Sequence, residues 1–259
     1  MCASKIATPE KSFASDPGEL PDTAMADDAS AVQAPGVGGR AALLALNLWP
    51  LLHVVGSGLL LILPSWSLAA RVGASIGALW ILPPLVCRIL IACCPLRDGS
   101  HAWGSRTFWS WWVSLQLQTI FLRLPFLEEI LRLVPGLYSN WLRLWGSSVG
   151  RLTYWSPGVE VTDRPLLAIG DDVVLGGKVR LGSHVLRRRS DGVLELVLGR
   201  IDIGHRCAVG AQSTVGPGVR LEDGEFTHAF FLAPPFSHWR GGQRVRHHPI
   251  SSSSSPSTP

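Results

Sequence analysis

The residue best placed to do chemistry in this chain is His184, at the turn of Leu181-Gly182-Ser183-His184-Val185. Directly after it, Leu186 to Val197 departs from a six-residue pattern that runs on both sides. Imidazole titrates near working pH, so a histidine fixed at a rigid turn is suited to moving a proton. The plainer reading is a polar group at a solvated turn. The break carries Arg187, Arg188, Arg189 and Asp191, a basic run that is either solvated or open to an anionic group. Asp171, Asp172, Glu160, Asp163 and Asp202 could each orient the ring, and spacing alone does not choose among them. His205 occupies a similar turn in a regular hexad and reads as structural, while His228 and His238 lie in irregular sequence. Glu128 and Glu129 are adjacent on an expected helix and cannot face each other, so they read as a solvated helix start rather than an acid/base pair. The five cysteines are odd in number and show no repeated C-x-x-C, which points to reduced thiols and no metal site.

The element that must position His184 is the repeat itself. Aliphatic residues recur at Ile169, Leu175, Leu181, Ile203, Val209, Val215 and Leu221, and the first six are each followed by glycine. Val173, Val179, Val185, Cys207, Ser213 and Val219 add a small or β-branched residue four positions on. A period of six suits neither an amphipathic helix nor an alternating strand. It suits a solenoid whose hexads are a short strand plus a turn, stacked by parallel pairing, with the aliphatic pointing inward. The glycine is expected to take a turn conformation that side chains resist. A solenoid can eject a loop at a turn without disturbing the stack, and a loop held by a rigid scaffold is a common seat of function.

The remainder is unusually apolar: 47% hydrophobic, 16% charged and 11 tryptophans, with a formal charge of +4. Arginines are scattered beside apolar runs rather than clustered, which favours membrane flanks and argues against nucleic acid. Residues 1–40 read as a disordered tail without a signal peptide. Residues 41–124 read as a membrane region, with spans at Ala41 to Leu63 and Val72 to Leu96, the second kinked at Pro83 and Pro84. His53 in the first span reads as structural, and Trp49, Trp66, Trp80 and Trp103 as interfacial. Thr107 to Leu122 carries Gln116 and Gln118 and reads as a helix lying in the interface rather than a third crossing. Residues 125–150 form an amphipathic helical connector that docks the solenoid on the membrane, 151–225 the β-helix, and 226–259 an irregular C-terminal segment and disordered tail. The arginines from Arg97 to Arg151 place the β-helix on the cytoplasmic side.

His184, the break, Ile203-Gly204-His205-Arg206-Cys207-Ala208-Val209-Gly210 and Val215-Gly216-Pro217-Gly218-Val219-Arg220-Leu221 together resemble the maltose and galactoside O-acetyltransferase branch of the hexapeptide-repeat acyltransferases. The resemblance runs from Pro157 to Leu221. It departs from the family in the block after the break, which lacks a tryptophan frequent in soluble members and has Ala208 in that neighbourhood, and beyond Leu221, where Pro234-Pro235 and Trp239 stand in place of an asparagine-proline-alanine turn. It implies a left-handed hand for the β-helix, a homotrimer, and acyl-CoA (acetyl-CoA) as co-substrate between neighbouring helices, with no permanently bound cofactor. It also implies His184 as general base, with Arg187, Arg188, Arg189 and Gly210 against the donor.

The expected fold class is therefore mixed membrane/β: N-terminal transmembrane helices followed by a left-handed parallel β-helix. The expected activity is membrane-anchored O-acyl transfer to a hydroxyl of a glycan or lipid-linked acceptor, in a bacterial inner membrane. The alternatives are an amide-forming domain related to poly-amino-acid synthetase termini, and a non-catalytic trimeric scaffold.

Overall fold

The computed structural model describes residues 37–189 and 192–245. The expected tails up to residue 36 and from Arg246, together with Asp191, lie outside them. Residues 148–240 wind as a three-sided parallel β-helix. Its first sheet stacks β2 (Ser148–Val149), β5 (Leu167–Ile169), β10 (Ile201–Ile203), β13 (Arg220–Leu221) and β15 (His238–Arg240). The second stacks β3 (Tyr154–Trp155), β6 (Val174–Leu175) and β11 (Ala208–Val209). The third stacks β4 (Glu160–Val161), β7 (Arg180–Leu181), β12 (Thr214–Val215) and β14 (Leu232–Ala233). A short strand, β16 (Gln243–Val245), closes the first sheet by antiparallel pairing with β15. The solenoid thus begins inside the expected connector and continues well past residue 225, where the sequence pattern ends but the coil geometry does not.

The repeat aliphatics fill the prism as expected: Leu175, Leu181 and Val215 have no exposed surface, and Ile169, Ile203, Val209 and Leu221 almost none. Burying each such side chain contributes about 1.5–3 kcal/mol. Val185 is the exception, half-exposed because it already belongs to the break.

The repeat glycines act by a different mechanism from the one expected. Left-handed backbone falls two residues later, at Asp172, Lys178, Arg206, Gln212 and Gly218, all but the last with side chains. The repeat glycines are instead required by close stacking. A Cβ at Gly170 would lie 2.7 Å from the His205 amide nitrogen, and one at Gly176 2.6 Å from that of Ala211. Gly182, at the corner where the break leaves, has only ordinary contacts, the nearest 3.8 Å away.

Among the described residues, seven α-helices lie ahead of the solenoid. α1 (Val37–Leu46) and α2 (Trp49–Leu59) form one arm, and α3 (Leu68–Ile76) and α4 (Leu82–Cys93) the other. The continuous stretches Val37–Ile62 and Leu68–Cys93 are each 26 residues, long and apolar enough to cross a membrane. The second arm contains a π turn over Gly77–Ile81, and Pro83 and Pro84 sit in the first turn of α4, where a missing N–H is tolerated.

α5 (Arg106–Arg123) is not an exposed interfacial helix. Its glutamines hydrogen-bond inside the protein, Gln116 donating to Asn47 and Gln118 to Ser114, and nine of its side chains are buried. Polar residues that suggested a water-facing helix are thereby satisfied internally. Three of the four tryptophans expected at interfaces are likewise packed against the protein: Trp49 stacks on His53, Trp103 packs at a tilt on Phe108, and Trp80 hydrogen-bonds the helices that follow.

α6 (Phe126–Arg132) and α7 (Leu137–Trp145) clamp the first coil through a buried charge cluster. Glu128 accepts from the Nε and Nη2 of Arg164, from Arg132 at 3.0 Å and from the Tyr138 hydroxyl at 3.0 Å. Arg164 also bonds Gln118 of α5, and its guanidinium lies over the rings of Phe121, Trp141 and Trp145. Glu128 is therefore not a solvated helix start. The arginine that neutralises it lies 36 residues away and is fully buried.

Candidate active site

The corner between the third and first sheets is the one place where the coil is irregular, and both irregularities bear on His184. Between Val161 and Ile169, stacked partners of Leu181 and Ile203, the chain takes eight residues rather than six. The extra length is absorbed by a tight turn at Arg164–Leu166, and it brings Asp163 into the corner. One coil on, the same corner ejects the whole break.

That break is not a loop. It is an antiparallel hairpin of β8 (His184–Arg188) and β9 (Leu194–Leu198), extended to three strands by β1 (Gly99–Ala102), which precedes α5. Leu198 pairs with His184 on one side and with Gly99 on the other. Leu196 and Leu198 bury their side chains against Phe108, Trp111 and Leu166. The histidine therefore sits at the root of a supported sheet, not on a free strand.

His184 Nδ1 lies 2.6 Å from Asp163 Oδ2 and donates to it. The same carboxylate oxygen accepts from Thr162 Oγ1 at 2.8 Å, and Oδ1 accepts from the indole N–H of Trp111 at 3.0 Å. Asp163 is fully enclosed, whereas the imidazole keeps 23% of its side-chain surface exposed. The Trp111 ring packs on the imidazole with centroids 4.8 Å apart. With Nδ1 committed, Nε2 carries the lone pair, and no described hydrogen bond engages it. A buried carboxylate, an oriented imidazole and a free ring nitrogen reaching solvent make the arrangement that activates a hydroxyl.

The electrostatics agree. Burial alone would lower the His184 pKa, but the adjacent Asp163 charge and its hydrogen bond outweigh burial and raise it. Burial would raise the Asp163 pKa, and the His184 charge together with three hydrogen bonds holds it below the usual carboxylate range.

Of the five candidate carboxylates, the structure brings Asp163 alone to His184. Glu160 pairs with Arg180, Asp171 lies beside His205, Asp202 beside Arg200, and Asp172 takes a left-handed turn position. His205 accepts the Asp171 amide proton at Nδ1, a role within a coil corner. His238 bonds Glu222 at 2.6 Å, and His228 contacts the Ala229 carbonyl. Arg187 pairs with Glu195 across the hairpin, and Arg188 donates to the Gly192 carbonyl, so these two brace the hairpin. Arg189 closes the hairpin turn through its backbone. Gly210 lies at the corner after the second sheet, away from His184 within one chain, and its Cβ position is filled by the His228 carbonyl of the next coil.

One site residue escaped the sequence, and another stood undistinguished among five candidates. Trp111 had no periodic signal connecting it to residue 163. The signal for Asp163 was present as the eight-residue step from Val161 to Ile169, which tracing the hexads upstream of Ile169 exposes.

No protein-family model matches the chain, and no curated protein sequence matches it. Solved structures that resemble it are hexapeptide-repeat acetyltransferases. One from Vibrio cholerae, complexed with acetyl coenzyme A, shares 15% identity over 51% of this chain and 89% of its own, with a TM-score of 0.36. A maltose O-acetyltransferase from Clostridium difficile shares 14% over 48% and 84%, at 0.34. A galactoside acetyltransferase in complex with coenzyme A shares 15% over 52% and 88%, at 0.32.

Proposed function

We propose that the chain is a membrane-anchored acyltransferase that moves an acetyl or related group from acyl-CoA to a hydroxyl of a glycan or lipid-linked acceptor. The observation that carries this is the 2.6 Å pair of His184 and Asp163 at an ejected corner of the solenoid. The order of histidine, break and glycine blocks in the sequence points to the same chemistry. The helix is left-handed and the assembly trimeric in this reading, with the donor in the groove between subunits. There Gly210 of one copy and the Arg187–Arg189 face of another would line the path of CoA.

In the reaction, Nε2 of His184 takes the proton of the acceptor hydroxyl as that oxygen attacks the thioester carbonyl. Asp163 holds the ring by Nδ1 and stabilises the imidazolium that forms. The tetrahedral intermediate collapses with cleavage of the C–S bond, and the imidazolium returns its proton to the departing thiolate. Trp111 fixes Asp163 from the helical side and shields one face of the imidazole.

Anchoring is supported by the two apolar arms, whose outer faces are largely exposed. The cytoplasmic placement of the β-helix rests on Arg97, Arg106, Arg123 and Arg151. Arg132 and Arg143 are consumed by internal bonds and do not count toward it. The test is thioester consumption in membranes by the wild type and by His184→Ala. The proposal expects turnover to fall by about 10²–10⁴ in the variant. Wild-type protein that neither binds nor consumes acyl-CoA overturns it in favour of a scaffold, and turnover only with an amine acceptor turns it into the amide-forming alternative.

A further inference from the structure

The joint between α6 and α7 presents an apolar surface that the protein leaves open. Leu133 is 80% exposed and Val134 53%, and Phe126, Ile130 and Leu137 are exposed beside them. From Leu133 to Leu137 there is no charged residue. The charges of α6 are turned the other way: Arg132 pairs with Glu128 and Glu129, and Glu129 also accepts the Gly158 amide.

This surface is fastened to a defined level of the second arm. The indole of Trp80 donates to the Leu127 carbonyl of α6 at 3.2 Å, and the indole of Trp141 in α7 donates to the Trp80 carbonyl at 2.7 Å. From the start of α3 at Leu68, Trp80 lies about 18 Å along the arm at ~1.5 Å per residue. A hydrocarbon layer of about 30 Å beginning at Leu68 ends near Arg88, roughly 20 residues on. Arg88 donates to the Arg143 carbonyl at the end of α7. The joint is therefore held on the order of 10 Å inside the boundary nearer the β-helix. Ile81, Leu82, Leu85, Val86 and Ile89 are likewise exposed on the arm itself.

We infer that the α6–α7 joint is sunk into the acyl chains of the leaflet facing the β-helix, with lipid hydrocarbon as its partner. This rests on the membrane-anchored reading and sharpens it. Three contacts, at Trp80, Trp141 and Arg88, lock the solenoid's helical collar to the arm, so the catalytic domain cannot swing freely above the membrane. Ser110 bonds the Cys94 carbonyl, six residues beyond Arg88, and Trp111 follows it against His184. His184 is thereby set about 10 Å outside the hydrocarbon boundary, at the level of lipid headgroups. The acceptor class this favours is a hydroxyl borne on a headgroup rather than a soluble sugar.

The test uses the full chain in phosphatidylcholine vesicles containing phosphatidylglycerol, with Cys2, Cys93 and Cys94 replaced by serine and an environment-sensitive dye on Leu133→Cys. A second preparation carries the dye on Ile76→Cys, exposed on α3 about 12 Å past Leu68 and so within the hydrocarbon layer. The expected result at position 133 is quenching by lipids spin-labelled along the acyl chain and at least a fivefold loss of iodide quenching relative to free dye. Dye at 133 that iodide reaches, with dye at 76 protected, overturns this inference while leaving anchoring intact. Both positions reached by iodide overturn anchoring as well. Dye at 133 shielded from iodide and from the lipid quencher alike shows that protein covers the joint, which also overturns the inference.

Discussion

At the scale of single residues, the site depends on one carboxylate with three hydrogen-bond donors. Asp163 accepts hydrogen bonds from His184, Thr162 and Trp111 while fully buried, so its charge is retained only because each oxygen is satisfied. Trp111→Phe keeps the ring against the imidazole and removes one donor to the carboxylate. A hydrogen bond to a charged group contributes about 1.5–3 kcal/mol, so kcat should fall by about 10- to 100-fold with the KM for acetyl-CoA unchanged. Steady-state kinetics with varied donor check this, and a rise in KM alone would contradict a positioning role. His184 stood out in the sequence as a candidate because a repeat makes its own interruption visible. Asp163 was one of five equal candidates, since a carboxylate's partner depends on which corner of the coil it enters.

At the scale of elements, the hexads announced a β-helix but gave the wrong reason for their glycines. The coil turns with left-handed Asp172, Lys178, Arg206 and Gln212, while glycine is reserved for the positions where successive coils touch backbone to backbone. Gly176→Ala should therefore destabilise the fold by about 1–3 kcal/mol through overpacking. Gly182→Ala, with its nearest neighbour at 3.8 Å, should shift stability by less than ~0.5 kcal/mol. Denaturant midpoints of the pair distinguish stacking from turn conformation, because equal losses would favour the latter. The hairpin illustrates a different limit of sequence reading. Its third strand, Gly99–Ala102, is four residues long with no alternating pattern, and it is a strand because β9 offers an edge.

For the molecule as a whole, the helices and the solenoid form one body joined by Glu128 and Arg164. Adjacent glutamates on a helix read as solvated because burial of a charge is not written in local sequence; it is set by an arginine on another element. Glu128→Ala leaves Arg164 buried without its counter-charge and should cost about 3–5 kcal/mol. Replacing both by methionine should recover most of that loss, because the pair's desolvation cost goes with it. Thermal unfolding in detergent reads both, and an unchanged midpoint in the single variant would show that the cluster does not hold the halves together. The apolar arms were visible as runs, though their ends shifted by several residues and their tryptophans turned inward, since lipid and protein interior favour the same side chains.

If Asp163 tunes His184 as the base, the pH dependence of CoA release must differ between the wild type and Asp163→Asn. The base must be neutral to act, so activity rises as pH climbs through the His184 pKa, which Asp163 raises above the ordinary value of about 6.5. Without the charge, burial is left to lower that pKa. The variant should therefore show a lower maximum rate and an acid limb displaced to lower pH. Superimposable profiles, or an acid limb that moves upward in the variant, would contradict the account.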